Sequence, residues 1–260
     1  MPVHDPAIQR IHARRSQCCY GMGLGIIILD DVYPGFPGDV RNASAYPFPI
    51  QYEIAEGVNI SNLTRGEQEG DLLARILAAA RKLQRLGCRA IAAECGYFAR
   101  FQKEIAAAVN VPVFASSLLQ VPLAQTVIGQ ERVVGILVGG GSYLSDRHLT
   151  SVGVTVGTNY VVRGAMDDRK TPQFDSLWNK DLRPAIPTAD YQLAERDLVK
   201  VARDFADAHP KMGAMVLYCT GFQPFGRAIQ REIGMPVFSW ATLLDYAYSV
   251  AVHRDFYGHV

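Results

Sequence analysis

Apolar positions along this chain fall into short dense blocks, separated by stretches where they recur at helical spacing. Gly23–Leu29 (GLGIIIL) is a continuous apolar run of the kind a buried strand needs, ending at Asp30-Asp31. Phe48–Ile54 predicts a second strand. Asp71–Leu86 predicts a helix, with an acidic first turn and Gly87 as its stop. The alternation then continues as strand Arg89–Cys95, helix Tyr97–Val109, strand Val113–Ser116 and helix Gln120–Ile128. Strand Val133–Val138, helix Ser145–Val152 and strand Asn159–Val162 follow. The pattern ends with a long helix Thr188–His209 capped by Thr188, strand Ala214–Cys219 and helices Pro224–Ile233 and Trp240–Tyr248. Such alternation predicts βαβ units and an α/β fold with parallel sheets. Two stretches break it. Asp31–Asn42 is a loop rich in Gly and Pro, and Arg163–Pro187 is charged and weakly periodic, read as a mobile lid or a subunit contact.

Part of the pattern occurs twice. Ala90–Ala115 (AIAAECGYFARFQKEIAAAVNVPVFA) and Ala214–Ser239 (AMVLYCTGFQPFGRAIQREIGMPVFS) align without a gap. They share Ala90/Ala214, Cys95/Cys219, Phe98/Phe222, Phe101/Phe225, Ile105/Ile229 and a Pro-Val-Phe tripeptide. Each copy reads as a strand ending on Cys, a small residue and an amphipathic helix. The duplication predicts two similar lobes, residues 1–118 with 238–260 and residues 119–237, each delivering one thiol to a shared cleft. That geometry suits adding and removing a proton on opposite faces of one carbon.

Composition narrows the chemistry. A hydrophobic fraction of 49% with 20% charged residues is that of a compact protein, and a formal charge of +1 gives no electrostatic footprint for nucleic acid or membrane surfaces. The start, MPVHDPAIQRIHARR, lacks the apolar core of a secretory signal, which makes the cytoplasm the expected compartment. Five cysteines, no CxxC and no HExxH argue against a disulfide scaffold or a zinc site. Cys18, Cys19 and Cys88 read as ordinary thiols. Cys95 and Cys219 differ because each closes a predicted parallel strand, the edge where open α/β sheets bind ligands, and a helix N-terminus beyond each would favour the thiolate.

Other polar residues on that edge complete the candidate site: Asp30 at the end of the first strand, Asp39 and Asn42 in the Gly/Pro loop, and Ser117 after the fourth strand. Gly140, Ser142 and Tyr143 belong to a glycine run between a strand and a helix, where backbone amides form an anion nest. His148 is the one histidine near this edge.

Together, LDDVYPGFPGDVRN (Leu29–Asn42), AIAAECGYFARFQ (Ala90–Gln102), VPVFASSLLQVP (Val111–Pro122) and HPKMGAMVLYCT (His209–Thr220) resemble the cofactor-independent aspartate/glutamate racemase superfamily, most closely a racemase-like branch. Hydantoin racemases, arylmalonate decarboxylases and maleate isomerases belong to the same superfamily. The resemblance implies two pseudosymmetric α/β lobes with the active site between them, and a tail that returns to the first lobe. Carried over by position, Cys95 and Cys219 are the two acid/base thiols and Asp30 the carboxylate after the first strand. Gly96, Thr220 and Gly221 would bond the substrate carboxylate, and Ser142 and Tyr143 are substrate-binding hydroxyls. Glutamate racemases follow their cysteines with Asn-Thr and Thr-His; here Gly96-Tyr97 and Thr220-Gly221 stand there, which argues against glutamate itself. Glu94, before the first Cys, is also unusual; strand alternation predicts that it points away from the thiol.

The expected function is therefore racemisation or epimerisation of a small carboxylate-bearing substrate, an amino acid or hydantoin, by proton transfer between Cys95 and Cys219. Neither pyridoxal phosphate nor a metal is expected, and the partner is a small molecule, with a homo-oligomer left open. Decarboxylation or cis–trans isomerisation of a diacid through Cys219 is the second reading, and a non-catalytic two-lobed binding protein the third. Decarboxylase and isomerase relatives keep only the second Cys, so the pair favours the first.

Overall fold

The structure, a computed structural model, describes residue 13 and residues 17–65, 69–179 and 182–256. The charged start of the chain and residues 257–260 of the returning tail lie outside the described residues, apart from residue 13. In chain order the elements are β1 (Leu24–Leu29), β2 (Ile50–Ala55), α1 (Ile60–Arg65), α2 (Glu69–Arg85), β3 (Ala90–Ala93), α3 (Gln102–Ala108), β4 (Val113–Phe114) and α4 (Val121–Ile128). Then follow β5 (Val133–Val138), α5 (Asp146–Ser151), β6 (Tyr160–Gly164), α6 (Pro172–Trp178), α7 (Tyr191–Asp207), β7 (Met212–Leu217), α8 (Gly226–Ile233), β8 (Val237–Phe238) and α9 (Trp240–Ala251).

Among the described residues, eight strands form two four-stranded sheets ordered β2-β1-β3-β4 and β6-β5-β7-β8, with every pairing parallel. One order maps onto the other strand for strand, so the sequence duplication is a duplication of topology. Strand alternation sorts the core. Ile27, Leu29, Ile91 and Ala93 of the first sheet share one apolar cluster with Val134, Ile136, Val138, Ala214 and Val216 of the second. The opposite residues of the first sheet, Leu24, Ile26, Ala90 and Ala92, pack under Trp240, Leu243, Leu244 and Ala247 of α9. Leu137, Met215 and Leu217 pack against α7 and the aromatic rings Phe174, Phe222 and Phe225.

The last helix thus lies on the first sheet, while α4 lies on β5 and β7 of the second. Helix α2 forms as its pattern predicts. Glu69 and Asp71 oppose the dipole at its start, Lys82 and Arg85 at its end, and Leu72, Ile76, Ala79, Ala80 and Leu83 make its buried stripe. Helix α7 starts later than expected: Asp190, not Thr188, is its cap, accepting the Leu193 N–H at 2.8 Å.

Arg163–Pro187 is not a structureless excursion, although residues 180 and 181 within it lie outside the described residues. It completes β6 and then folds into α6, whose Phe174 and Leu177 are buried, with Phe174 stacked on Trp178 at 5.2 Å. Pro at the first helical position and apolar residues at 174, 177 and 178 are a helical signature that the charged flanks concealed. Among the described residues, no helix is long and apolar enough to cross a membrane.

Candidate active site

β3 and β7 end at Ala93 and Leu217, and a cysteine follows two residues beyond each. The helices expected after the cysteines begin as tight 3-10 turns, Gly96–Phe101 and Thr220–Phe225, before α3 and α8 continue. Pro224 inside the second turn has no N–H for an α-helical bond, and both turns close through Phe98 and Phe222 N–H groups donated to the Cys95 and Cys219 carbonyls. The tight geometry returns backbone amides to sulfur: Tyr97 N–H reaches the Cys95 thiol, and Gly221 and Phe222 N–H reach the Cys219 thiol.

Both cysteines line one cleft between the lobes, of about 590 Å³. Gly96, Tyr97 and Thr220 line it beside them, and Gly140, Ser142 and Tyr143 line it from the glycine run. Tyr97 donates its hydroxyl to the Gly140 carbonyl at 3.2 Å, tying the first-lobe turn to the second lobe. The glycine run binds an anion of the protein itself: the Gly141 N–H donates to Asp167 Oδ1 at 3.2 Å.

The remaining expected residues stand elsewhere. Asp30 is exposed and caps a turn, accepting the Gly57 N–H at 2.9 Å, because the chain bends outward after β1. Its neighbour Asp31 lines the cleft instead, holding Ile60 N–H at 2.7 Å and pairing with Arg183 at 3.2 Å. Asn42 caps a short turn through Ser44. Ser117 is buried between the lobes and donates to the Leu217 carbonyl at 2.8 Å. Gly221 serves the Cys219 sulfur and lies against the Trp178 ring, without lining the cleft. Asp39 is buried behind the cleft wall and accepts the Arg41 N–H at 2.8 Å.

Sequence reasoning missed much of that wall. Glu94 lines the cleft although only 1% exposed; it accepts the Leu29 N–H at 2.9 Å and the Tyr33 hydroxyl, and forms an ion pair with Arg41, whose Nε lies 2.8 Å from Oε1. Arg41 also stacks on the Tyr33 ring at 4.3 Å. Tyr33 and Trp178 meet edge-to-face at 6.2 Å, and Tyr218 lines the cleft beside Cys219. Aromatic residues next to a glycine turn and an acid next to a cysteine were the available signals.

Burial dominates the electrostatics. It pushes the Cys219 thiol up to about 12, with Asp39 and Glu94 adding to the rise, and holds the Cys95 thiol well above its ordinary value, helped by the neighbouring Cys219. The amide donors oppose this and lose, so the turns alone do not favour the thiolate. Burial also raises Glu94, lifts Asp39 to about 7 and lowers His148 to about 4. Among the described residues, no group of three or more His, Cys, Asp and Glu side chains is arranged to hold a metal ion.

No protein-family model matches the chain. Among curated proteins it is 25% identical over 232 residues to dimethylsulfoniopropionate lyase 7 of Emiliania huxleyi, covering 86% of this chain and 65% of that protein. A dimethylsulfoniopropionate lyase of Durusdinium sp. clade D is 26% identical over 229 residues, covering 86% of this chain and 73% of the relative. The chain thus spans just under two thirds to three quarters of the lengths of these relatives. Among solved structures, unliganded arylmalonate decarboxylase superposes with a TM-score of 0.56 at 14% identity, covering 90% of this chain and 94% of its own. An aspartate racemase homologue from Pyrococcus horikoshii OT3 superposes with a TM-score of 0.52 at 16% identity, covering 88% and 98%. The two-lobed parallel α/β fold of this chain is the fold of arylmalonate decarboxylase and of that aspartate racemase homologue.

Proposed function

We propose that this chain is a cofactor-independent enzyme that removes the proton α to a carboxylate, with Cys95 and Cys219 as its acid/base groups. One observation carries the reading: two thiols from matching positions of duplicated lobes line a single cleft of about 590 Å³, room for a small acid. The thiolate lone pair takes the α-proton, forming S–H as C–H breaks, and the electron pair moves onto the carboxylate as an enolate-like species. From there the carbanion is reprotonated from the opposite thiol, giving racemisation, or it expels a group from the β-carbon, giving elimination.

The cleft's charge favours a substrate that also carries a cation. Asp31, Glu94, Asp167 and Asp175 line it; Arg183 pairs with Asp31 and Arg41 with Glu94, which leaves Asp167 and Asp175 as the acidic excess. Burial raises both thiols and favours their neutral form; a positive group entering beside them lowers that cost and promotes the thiolate. A sulfonium fits, and with relatives named as dimethylsulfoniopropionate lyases it ranks β-elimination first: the thiolate takes the α-proton while dimethyl sulfide leaves with the C–S electron pair, and acrylate remains. Amino-acid racemisation is the second reading, favoured by the presence of both thiols, since elimination needs only one base.

The test is incubation in D2O with dimethylsulfoniopropionate and, separately, with a panel of amino acids, followed by proton NMR. Acrylate formation supports elimination, and α-deuteration without net loss supports racemisation. Neither, in folded protein, would reject the proton-transfer reading.

A further inference from the structure

Tyr218 stands between the two cysteine turns. It immediately precedes Cys219, and its ring lies against the turn that follows Cys95. A Cβ built on Gly96 would sit 2.6 Å from Tyr218 Cε2 and 2.7 Å from Cζ, the carbon that bears the hydroxyl. A second-lobe side chain therefore carries its O–H to the first-lobe thiol's turn, along a wall both turns share. Gly96 is required there because any side chain would displace the ring.

The hydroxyl is an orphan. Tyr218 is 1% exposed, and among the described residues its oxygen meets no hydrogen-bond partner. Buried polar groups are paired in the great majority of cases, and one left alone is destabilising. Its aromatic neighbour Tyr97, edge-on at 5.0 Å, has already committed its own hydroxyl to Gly140. Burial, with Tyr97 and the thiols and against the opposing pull of Arg100, holds the Tyr218 phenol well above its ordinary value, which keeps it a neutral donor.

We propose that the Tyr218 hydroxyl is a catalytic residue of this site, donating a hydrogen bond to the substrate carboxylate oxygen on which charge builds as the α-proton leaves. The inference rests on the two-thiol reading above. The phenol keeps its proton throughout; it stabilises the enolate-like species, whose charge is greater on oxygen than in the ground state, and the bond strengthens as the transition state is approached. A neutral donor suits an acidic cleft, because it adds no cation to compete with the substrate's own.

Tyr218→Phe tests this by removing one oxygen and keeping the ring that packs on Gly96. Since the hydroxyl is an orphan, the variant is expected to unfold at the same or a higher urea concentration than wild type; a large fall would reveal a structural partner and overturn the proposal. The second readout is protection of Cys219 from iodoacetamide by propionate, followed by peptide mass spectrometry. Propionate is expected to protect wild type, and Tyr218→Phe to need roughly tenfold more of it, with kcat falling more than KM rises. Equal protection of the two proteins would reject the Tyr218 contact while leaving the carboxylate site standing. No protection of wild type would reject the carboxylate site, and the proposal with it.

Discussion

At the scale of single residues, desolvation decides the charge states around the cleft. Amide donors from the 3-10 turns reach both sulfurs, yet burial pushes Cys219 up to about 12 and Cys95 in the same direction. Only a thiolate is alkylated at an appreciable rate. In protein without substrate, carbamidomethylation of Cys219 is therefore expected to rise about tenfold per pH unit from pH ~7 to ~10, without the levelling that an ordinary thiol of pKa about 8.5 shows. Levelling near pH ~8.5 would mean the turn amides outweigh burial. Asp39 carries the second prediction. Its carboxyl is raised by burial to about 7, so between its ordinary 3.8 and about 7 the folded protein holds a proton that the unfolded chain releases. Its contribution to stability is thus full at acid pH and lost as pH rises through about 7. Asp39→Asn keeps an oxygen for the Arg41 N–H and should flatten the fall of the urea midpoint across that window; an unchanged slope would place the effect on Glu94, which burial also raises.

Element by element, periodicity made the sheets and the long helices legible, since GLGIIIL and the α2 stripe depend on nothing beyond their own sequence. The ends of elements were harder to read. Whether Asp30 or Asp31 faces the cleft depends on the outward bend after β1, and whether Glu94 turns inward depends on Leu29, Tyr33 and Arg41, none of them adjacent in sequence. Strand alternation alone pointed Glu94 away. The segment Arg163–Pro187 looked loose because its charges sit in flanking turns, while Phe174 and Leu177 of α6 pack into the second lobe. Phe174→Ala should therefore cost about 3–5 kcal/mol, measured by urea unfolding, through the cavity it leaves under Trp178, Phe222 and Phe225. Shortening Met166–Phe174 should destabilise the whole protein, not merely slow turnover. A stable shortened variant would restore the lid reading.

Taken as a whole molecule, the lobes are not independent bodies. Residues of both sheets share one apolar cluster, Ser117 bonds the Leu217 carbonyl, and Arg147 reaches Glu69 and Glu104 across the junction. Heat or urea should unfold the chain in one transition, with fluorescence and circular dichroism coincident; two separated transitions would show that the shared cluster does not couple the lobes. The duplicated Cys positions were readable from sequence because the copies align without a gap. The acid-lined wall was not, since its members come from both lobes and only folding assembles them. What the two-lobed design provides is a pair of thiols set in one cleft, and the most direct test is to remove them singly. Cys95→Ser and Cys219→Ser should each keep the fold; the variant that lacks the proton-abstracting thiol should lose elimination by at least about a hundredfold, the usual scale for a positioned acid or base, and under racemisation each of the two should lose turnover on that scale. Turnover at the wild-type rate in both variants would contradict the assignment of these thiols to the chemistry.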